Sequence, residues 1–353
     1  MAEMTIRELA DICGVAVSTV SRAMNDRSDV SPETRERVRA AARRYGYIPN
    51  ASARRLKIST TQTISVIVQG ELGQLVIEVL SHLEEAFAES GYDTTLQHVS
   101  EEHAHAGTVE RLVREGKYGG VVFLGRYGSS DRDLSAQLIR RLAEIDVPMV
   151  FCTTPDYSGA DSLHSSISVD DQSGAFELVS HLIEAGHRRI AFVGAGSERD
   201  REHAWALRLA GYRSALAAAS IPFDERLVVP SAEEHHIYSI VNGYESTKRW
   251  LPDAPTDVTA LMAVCDAAAL GTARALSEAG KRVPEDCSLV GFDGMDLAKY
   301  YVPRITTLAQ PLSEIAQSAA RVLLATMRNP SRAIEQVWIR GRLLEGESVR
   351  RID

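Results

Sequence analysis

The chain has 353 residues, too many for one compact core, so two or three structural units are expected. Nothing in it is low-complexity or collagen-like, no apolar run approaches the ~20 residues of a membrane span, and the four cysteines lack CxxC spacing. The net charge of −9 is uneven: residues 1–60 hold eleven Lys/Arg against seven Asp/Glu, and the remainder holds 28 against 41. A basic head on an acidic body gathers affinity for polyanions at one end, so an acidic total does not argue against DNA binding. Met1-Ala2-Glu3-Met4 lacks a basic start and an apolar stretch, so no secretory signal is expected. Cys13, Cys152, Cys265 and Cys287 read as buried reduced thiols of a cytoplasmic protein.

The first element predicted is a short helix with Ile6, Leu9, Ala10 and Cys13 on one face, opened by a Thr5/Glu8 capping box. A tight turn at Gly14 joins it to a second helix, which is expected to bury Val20 and Met24 and to leave Val17, Ser18 and Arg22 outward. Ser31-Pro32 reads as the N-cap and first position of a third helix that runs to Tyr45 and stops at Gly46. This is the helix-turn-helix arrangement. A helical hairpin in an ordinary bundle could imitate it, and the next segment decides between them. Tyr47 to Lys57 would form a short helix with cations around one bare leucine, Leu56. Such a leucine, inserted in a minor groove, could wedge a base step while Arg54, Arg55 and Lys57 neutralise phosphates.

On these elements the chain resembles the lactose/galactose repressor (LacI/GalR) family of transcriptional regulators. The matching stretches are Thr5 to Asn25, Val30 to Arg35, Tyr45 to Asn50 and Ala53 to Leu56. The resemblance implies that Thr5, Val17, Ser18, Thr19, Ser21, Arg22 and Asn25 meet DNA. Tyr47, Asn50, Ala53, Arg54, Arg55, Leu56 and Lys57 are implied to do so beyond them. Arg22 suits a bidentate contact with guanine, Ser18 a base edge, and Val17 a thymine methyl. Leu56 works as a wedge only beside a second leucine, which implies a homodimer on a palindromic operator. Ala16 departs from the serine common in the family, which removes a side-chain cap worth ~1 kcal/mol.

After a polar linker at Ser59 to Thr63, β-rich runs alternate with helical patterns. Strands are predicted at Ile64–Val68, Asp93–Gln97, Gly120–Leu124 and Pro148–Cys152, with helices at Gln74–Ser90, Thr108–Arg114 and Leu134–Ile145 between them. A second series places strands near Ser166–Val169, Ile190–Val193, Thr259–Ala263 and Leu289–Phe292. Its helices fall at Gln172–Ala185, Leu207–Ser220, Asn242–Trp250 and Ala267–Ala279. Alternation of this kind predicts parallel sheets covered by helices, here in two successive halves with a ligand cleft between them. The fold class expected is therefore an N-terminal all-α helix-turn-helix DNA-binding domain plus hinge helix. An α/β periplasmic-binding-protein-like core of two parallel-sheet subdomains follows it.

The resemblance extends over His181 to Gly194, Arg208 to Tyr212, Asp266 with Ala269 to Gly271, Val290 to Asp293 and Thr306 to Pro311. It implies three regions: a helix-turn-helix domain at 1–46, a hinge helix and linker at 47–62, and an effector-binding and dimerisation core at 63–353. Within the core it implies subdomain 1 at about 63–165 and 296–326, and subdomain 2 at about 166–295 and 327–345. The helix Leu312–Met327 would then belong to the first and the strand near Gln336–Ile339 to the second. Leu75, Arg126, Trp205, Arg208, Asp266, Asp293 and Gln310 are implied to bind the effector. A carboxylate and a guanidinium in one pocket can hold hydroxyls, although Arg208 and Asp293 could equally form a structural ion pair between subdomains. Cys265 replaces the asparagine of the family's Asn-Asp pair. Leu75 and Val76 stand where many relatives carry stacking aromatics, which argues against a purine-like effector. Trp205 either restores a stacking face or packs on the surface.

Gly194-Ala195-Gly196 lacks the third glycine of a dinucleotide loop. His98, His103, His105, His235 and His236 have no ligand framework at metal spacing and read as solvated loop residues. No GxSxG elbow, Walker loop or paired catalytic carboxylates appear, so neither cofactor, metal nor enzymatic step is expected. The reading is a ligand-responsive transcriptional regulator, a repressor of double-stranded operator DNA, controlled by a small polar effector of sugar type. The rival classes are a solute-binding module for uptake and a sugar-modifying enzyme. The end of the chain, Glu347 to Asp353, has no leucine heptads, so no tetramerising helix is expected.

Overall fold

A computed structural model describes residues 6–24, 30–45, 62–70, 72–99, 106–125, 132–154, 162–196 and 204–352. The chain divides into two units, residues 1–60 and 61–353. In the first unit the apolar spacing produces α1 (Ile6–Cys13), α2 (Val17–Met24) and α3 (Pro32–Tyr45). Leu9, Ala10, Cys13, Val20, Ala23, Val30, Val38 and Ala42 form its small core. Ala23 takes the deep position expected of Met24, which packs only partly against that core. Gly14 closes the α1–α2 turn at φ +61°, a conformation that a side chain would strain. Without a serine at Ala16, α2 begins on backbone bonds alone: the amides of Thr19 and Val20 donate to the Ala16 carbonyl at 2.9 and 3.1 Å. The α3 cap forms as expected, with the Thr34 amide donating to Ser31 Oγ at 3.2 Å.

The second unit begins with β1 (Thr63–Gln69), α4 (Gln74–Glu89), β2 (Asp93–Val99), α5 (Ala106–Glu115), β3 (Gly120–Leu124), α6 (Arg132–Ala143) and β4 (Met149–Cys152). It continues with β5 (Ser165–Val169), α7 (Asp171–Glu184), β6 (Ile190–Ala195), α8 (Ala204–Ala218), β7 (Val228–Pro230), α9 (Ile240–Trp250) and β8 (Ala260–Ala263). It closes with α10 (Asp266–Glu278), β9 (Ser288–Asp293), α11 (Asp296–Tyr300), β10 (Thr306–Ala309), α12 (Leu312–Arg328), β11 (Gln336–Ile339) and β12 (Arg342–Leu344). The strands form two six-stranded sheets in the orders β11-β5-β4-β3-β1-β2 and β12-β10-β9-β8-β6-β7. All pairings are parallel except β10 with β12. The inner strands are largely buried on both faces, as helices on both sides require.

Three strand assignments differ from the sequence expectation. β5 lies in the first sheet between β4 and β11, not at the head of the second half. β10, expected in subdomain 1, lies in the second sheet between β9 and β12, and α11 packs beside α10 in that same half. β11, expected in subdomain 2, joins the first sheet beside β5. The chain thus crosses between sheets after β5, after β10 and after β11. Each crossing is set by long-range register, such as Gln336 opposite Ser166, which strand–helix alternation does not encode. α12 packs on β3, β4, β5 and α4 of the first sheet's half.

The end of the chain is tied to the second half through His187. Its Nε2 donates to the Arg350 carbonyl at 3.1 Å and its Nδ1 meets Thr259 Oγ1 at 2.9 Å. Burial holds the imidazole pKa below its usual value, with Arg350 and Arg188 adding to the effect. Unfolding therefore takes up a proton below pH 6.5, so this group's contribution is present above that value and is lost as pH falls. His187→Ala should narrow the stability difference between pH 7.5 and 5.5 in urea titrations; an unchanged difference would remove this role.

Candidate functional sites

On α2, burial of Val20 and Ala23 turns the opposite face to solvent. Val17, Ser18 and Arg22 are exposed there and Thr19 is half-buried. An uncovered valine beside a hydroxyl and a guanidinium can present a methyl contact, a base-edge donor and a bidentate fork to one groove. Thr5, Asn25, Tyr47, Asn50, Ala53, Arg54, Arg55, Leu56 and Lys57, like the side chain of Ser21, lie outside the described residues. So does the proposed hinge helix.

The second site is a cleft of about 330 Å³ between the two sheets of the second unit. The carboxyl ends of the strands supply its walls, as expected of open parallel sheets. From the first sheet come Gln69, Gly125, Thr153 and Val169, with Leu75 and Val76 from the start of α4. From the second half come Asp293, Met295 and Leu297, with Tyr238 and His236 from the loop before α9. Asp171, Arg208 and the crossover residue Gln310 complete it.

Arg208 is the electrostatic centre. It is 4% exposed, and its Nε donates to Asp171 Oδ1 at 2.8 Å while Nη1 donates to the Val264 carbonyl at 2.5 Å. Its Nη2 lies 3.5 Å from Asp293 Oδ1, and the guanidinium stands 3.7 Å from the centre of the Phe292 ring. Burial works against this charge, but Asp171 and Asp293 outweigh it and hold the group ionised. Asp293 is pushed up to about 6 by burial, against the pull of Arg208 and of Gln310, whose Nε2 donates to Asp293 Oδ1 at 2.7 Å. The cleft thus offers carboxylate oxygens that accept from hydroxyls, beside apolar walls that cover C–H faces.

Of the effector residues expected from the sequence, Leu75, Arg208, Asp293 and Gln310 meet at this cleft. Arg126 lies outside the described residues. Trp205 is a correction: only 5% exposed, it packs in the core with its indole against Gly196, so it is neither a stacking wall nor a surface residue. Asp266 is a second correction: it is fully buried and absent from the cleft wall. Its Oδ1 accepts from Thr307 Oγ1 at 2.6 Å and its Oδ2 from the Met295 amide at 2.7 Å. Cys265 serves as the N-cap of α10, its Sγ accepting from the Ala268 amide at 3.3 Å.

Sequence reasoning missed Asp171 and Tyr238. Asp171 opens α7 directly after β5, and a carboxylate at a strand's carboxyl end was the available signal. Tyr238 accepts from the Trp205 amide at 3.1 Å and places its ring 5.8 Å from the Arg208 guanidinium. It provides the aromatic surface that Leu75 and Val76 do not. Among the described residues, no group of His, Cys, Asp or Glu is placed to hold a metal ion, and no helix is long and apolar enough to cross a membrane.

Comparison with known proteins matches residues 5–50 to the bacterial regulatory proteins of the lacI family and residues 179–349 to the periplasmic binding protein-like domain. The chain is 34% identical over 324 residues to the HTH-type transcriptional regulator MalR of Clostridium butyricum, covering 91% of this chain and 92% of that protein. Among solved structures it is similar to a transcriptional regulator CelR–cellobiose complex, with a TM-score of 0.72 and 28% identity over 98% of this chain and all of that one. It is also similar to the Lac repressor bound to ONPG in the repressed state, with a TM-score of 0.81 and 25% identity over 98% and 100% of the two chains.

Proposed function

Because the chain belongs to the LacI family of bacterial regulatory proteins, we propose that it is a homodimeric repressor whose grip on a palindromic operator is set by a sugar-like effector in the cleft. The observation that carries this reading is the cleft itself, where Asp171, Arg208, Asp293 and Gln310 converge from four sections of chain beside Tyr238. An effector that touches both sheets stabilises one arrangement of them over another, and only that difference in affinity can change DNA binding. Two similar structures, one a complex with cellobiose and one bound to ONPG, support a glycoside rather than a flat heterocycle. The relatives are transcription regulators, and no enzymatic step is ascribed to the chain.

The dimer reading is supported by apolar surface on the second half. Val302 is 86% exposed and Tyr300 74%, and Ile240 and Val241 at the head of α9 are also uncovered. α9 packs on α10 and α10 on α11, so a second copy could cover these residues together.

Selection of bound sequences from a random duplex pool, with the full-length chain, tests the proposal. A palindrome with a central pyrimidine–purine step is expected. No enrichment, with or without cellobiose, would overturn the regulator reading. In the same assay Arg22→Ala should weaken the selected site by roughly 1–3 kcal/mol and relax the preference at one guanine per half-site. A uniform loss across all sequences would instead make Arg22 a phosphate contact.

A further inference from the structure

The turn from β9 into α11 is held in an unfavourable backbone. Asp293 has φ +119°, a region that a residue with a Cβ enters only when its surroundings compel it, and Gly294 follows at φ +76°. The groups that compel it converge on Asp266. The Met295 amide donates to Asp266 Oδ2 at 2.7 Å, and the Gly294 amide donates at 3.3 Å to Thr307 Oγ1, which in turn donates to Asp266 Oδ1 at 2.6 Å. Both carboxylate oxygens are thus engaged, and the side chain is fully buried. Room for it exists because residue 291 is glycine: a Cβ there would lie 2.2 Å from Asp266 Oδ1. From the other side, the Gln310 amide donates to the Asp293 carbonyl at 3.0 Å.

We propose that Asp266 is a positioning residue that acts through Asp293: with Thr307 it clamps residues 293–295 in the turn that aims the Asp293 carboxylate at the cleft. This rests on the reading of the cleft as the effector site. Asp266 itself does not reach the ligand. Burial and the nearby Asp293 charge raise its pKa, while Thr307 and the Met295 and Gly294 amides pull it down. The hydroxyl of Thr307 and the carboxylate of Asp266 therefore depend on each other. Thr307 also lies on β10, two residues before the crossover at Ala309, so the clamp joins the effector-facing turn to a segment that passes between the sheets.

The test uses the full-length chain with Asp266→Ala, Thr307→Val and Thr307→Ser, each crystallised and titrated with cellobiose, alone and in an Asp293→Asn background. In the Asp266→Ala and Thr307→Val variants Asp293 should leave positive φ and move away from Arg208, whereas Thr307→Ser, which keeps the hydroxyl, should retain both. Cellobiose affinity should fall at least about tenfold in the first two, and the loss should vanish once Asp293 is already asparagine. An Asp293 turn unmoved in both variants would overturn the proposal, as would an affinity loss that persists undiminished in the Asp293→Asn background. The near-isosteric Thr307→Val keeps the test decisive should Asp266→Ala fail to fold. The backbone readout decides the role even if the wild type binds no cellobiose, a result that would count against the cleft reading alone.

Discussion

Replacement of Arg208 by leucine is expected to destabilise the second unit by about 3–5 kcal/mol, the range for removing one partner of a buried ion pair. The guanidinium is 4% exposed and is bonded to Asp171 at 2.8 Å, with Asp293 at 3.5 Å. Leucine would leave two carboxylates facing each other in low dielectric and the Val264 carbonyl without its donor. The same residue bridges α8 to α7 and to the end of β9, so the loss falls on the packing around the cleft rather than on one surface contact. Urea denaturation should show the loss in the single variant and a partial recovery in the Arg208→Leu/Asp171→Leu pair, where charge and cation leave together. A cost below about 1 kcal/mol would mean that water reaches the cluster and screens it.

Asp293→Asn is expected to do the reverse, trading affinity for stability. Burial raises the Asp293 pKa from 3.8 to about 6, so the folded state prefers the neutral acid. A folded-state pKa raised in this way contributes stability that is fully present below the unfolded value and is lost as pH rises through about 6. At pH 7.5 the ionised group therefore weighs on the fold, because burial disfavours its charge more than Arg208 and Gln310 favour it. Asparagine never carries that charge, keeps an acceptor for Gln310, and tolerates positive φ better than most residues. The variant should gain stability over the wild type at pH 7.5, with the gain shrinking through pH 6 and small near pH 4. A pH-independent difference between the two would show that Asp293 does not titrate in that window. Cellobiose binding, where present in the wild type, should weaken by about ten- to a hundredfold with the loss of a charge-assisted hydrogen bond.

These two residues also mark how far the sequence could be read. Arg208 and Asp293 were legible from the stretches around them, and an ion pair between them was one of two readings, but the part played by Asp171 was not. Nothing in the spacing of residues 171, 208 and 293 indicates that two carboxylates would share one guanidinium. Tyr238 illustrates the same gap from the other direction. Leu75 and Val76 announce that an aromatic wall is missing at one place, and only the fold shows that the loop before α9 supplies another. Trp205 was the more conspicuous aromatic in the chain, and it is buried behind the cleft. Asp266 was assigned to the ligand by its motif, whereas its oxygens belong to Thr307 and Met295.

The sequence by itself determined what depends on near neighbours. The period of Leu9, Ala10 and Cys13, the Gly14 turn and the Ser31-Pro32 start specify three short helices and the face of α2 that stays uncovered. The apolar runs at Ile64, Gly120 and Ile190 specify parallel strands separated by helices, because each signal lies within one element and its own periodicity. Only the tertiary structure decided which sheet received β5, β10 and β11. Those strands look alike from within, and their partners are separated from them by up to 170 residues, as between Ser166 and Gln336. The placement of Asp171, Tyr238 and Asp266 follows from the same cause, since a side chain's role in the cleft is set by what the crossings bring opposite it.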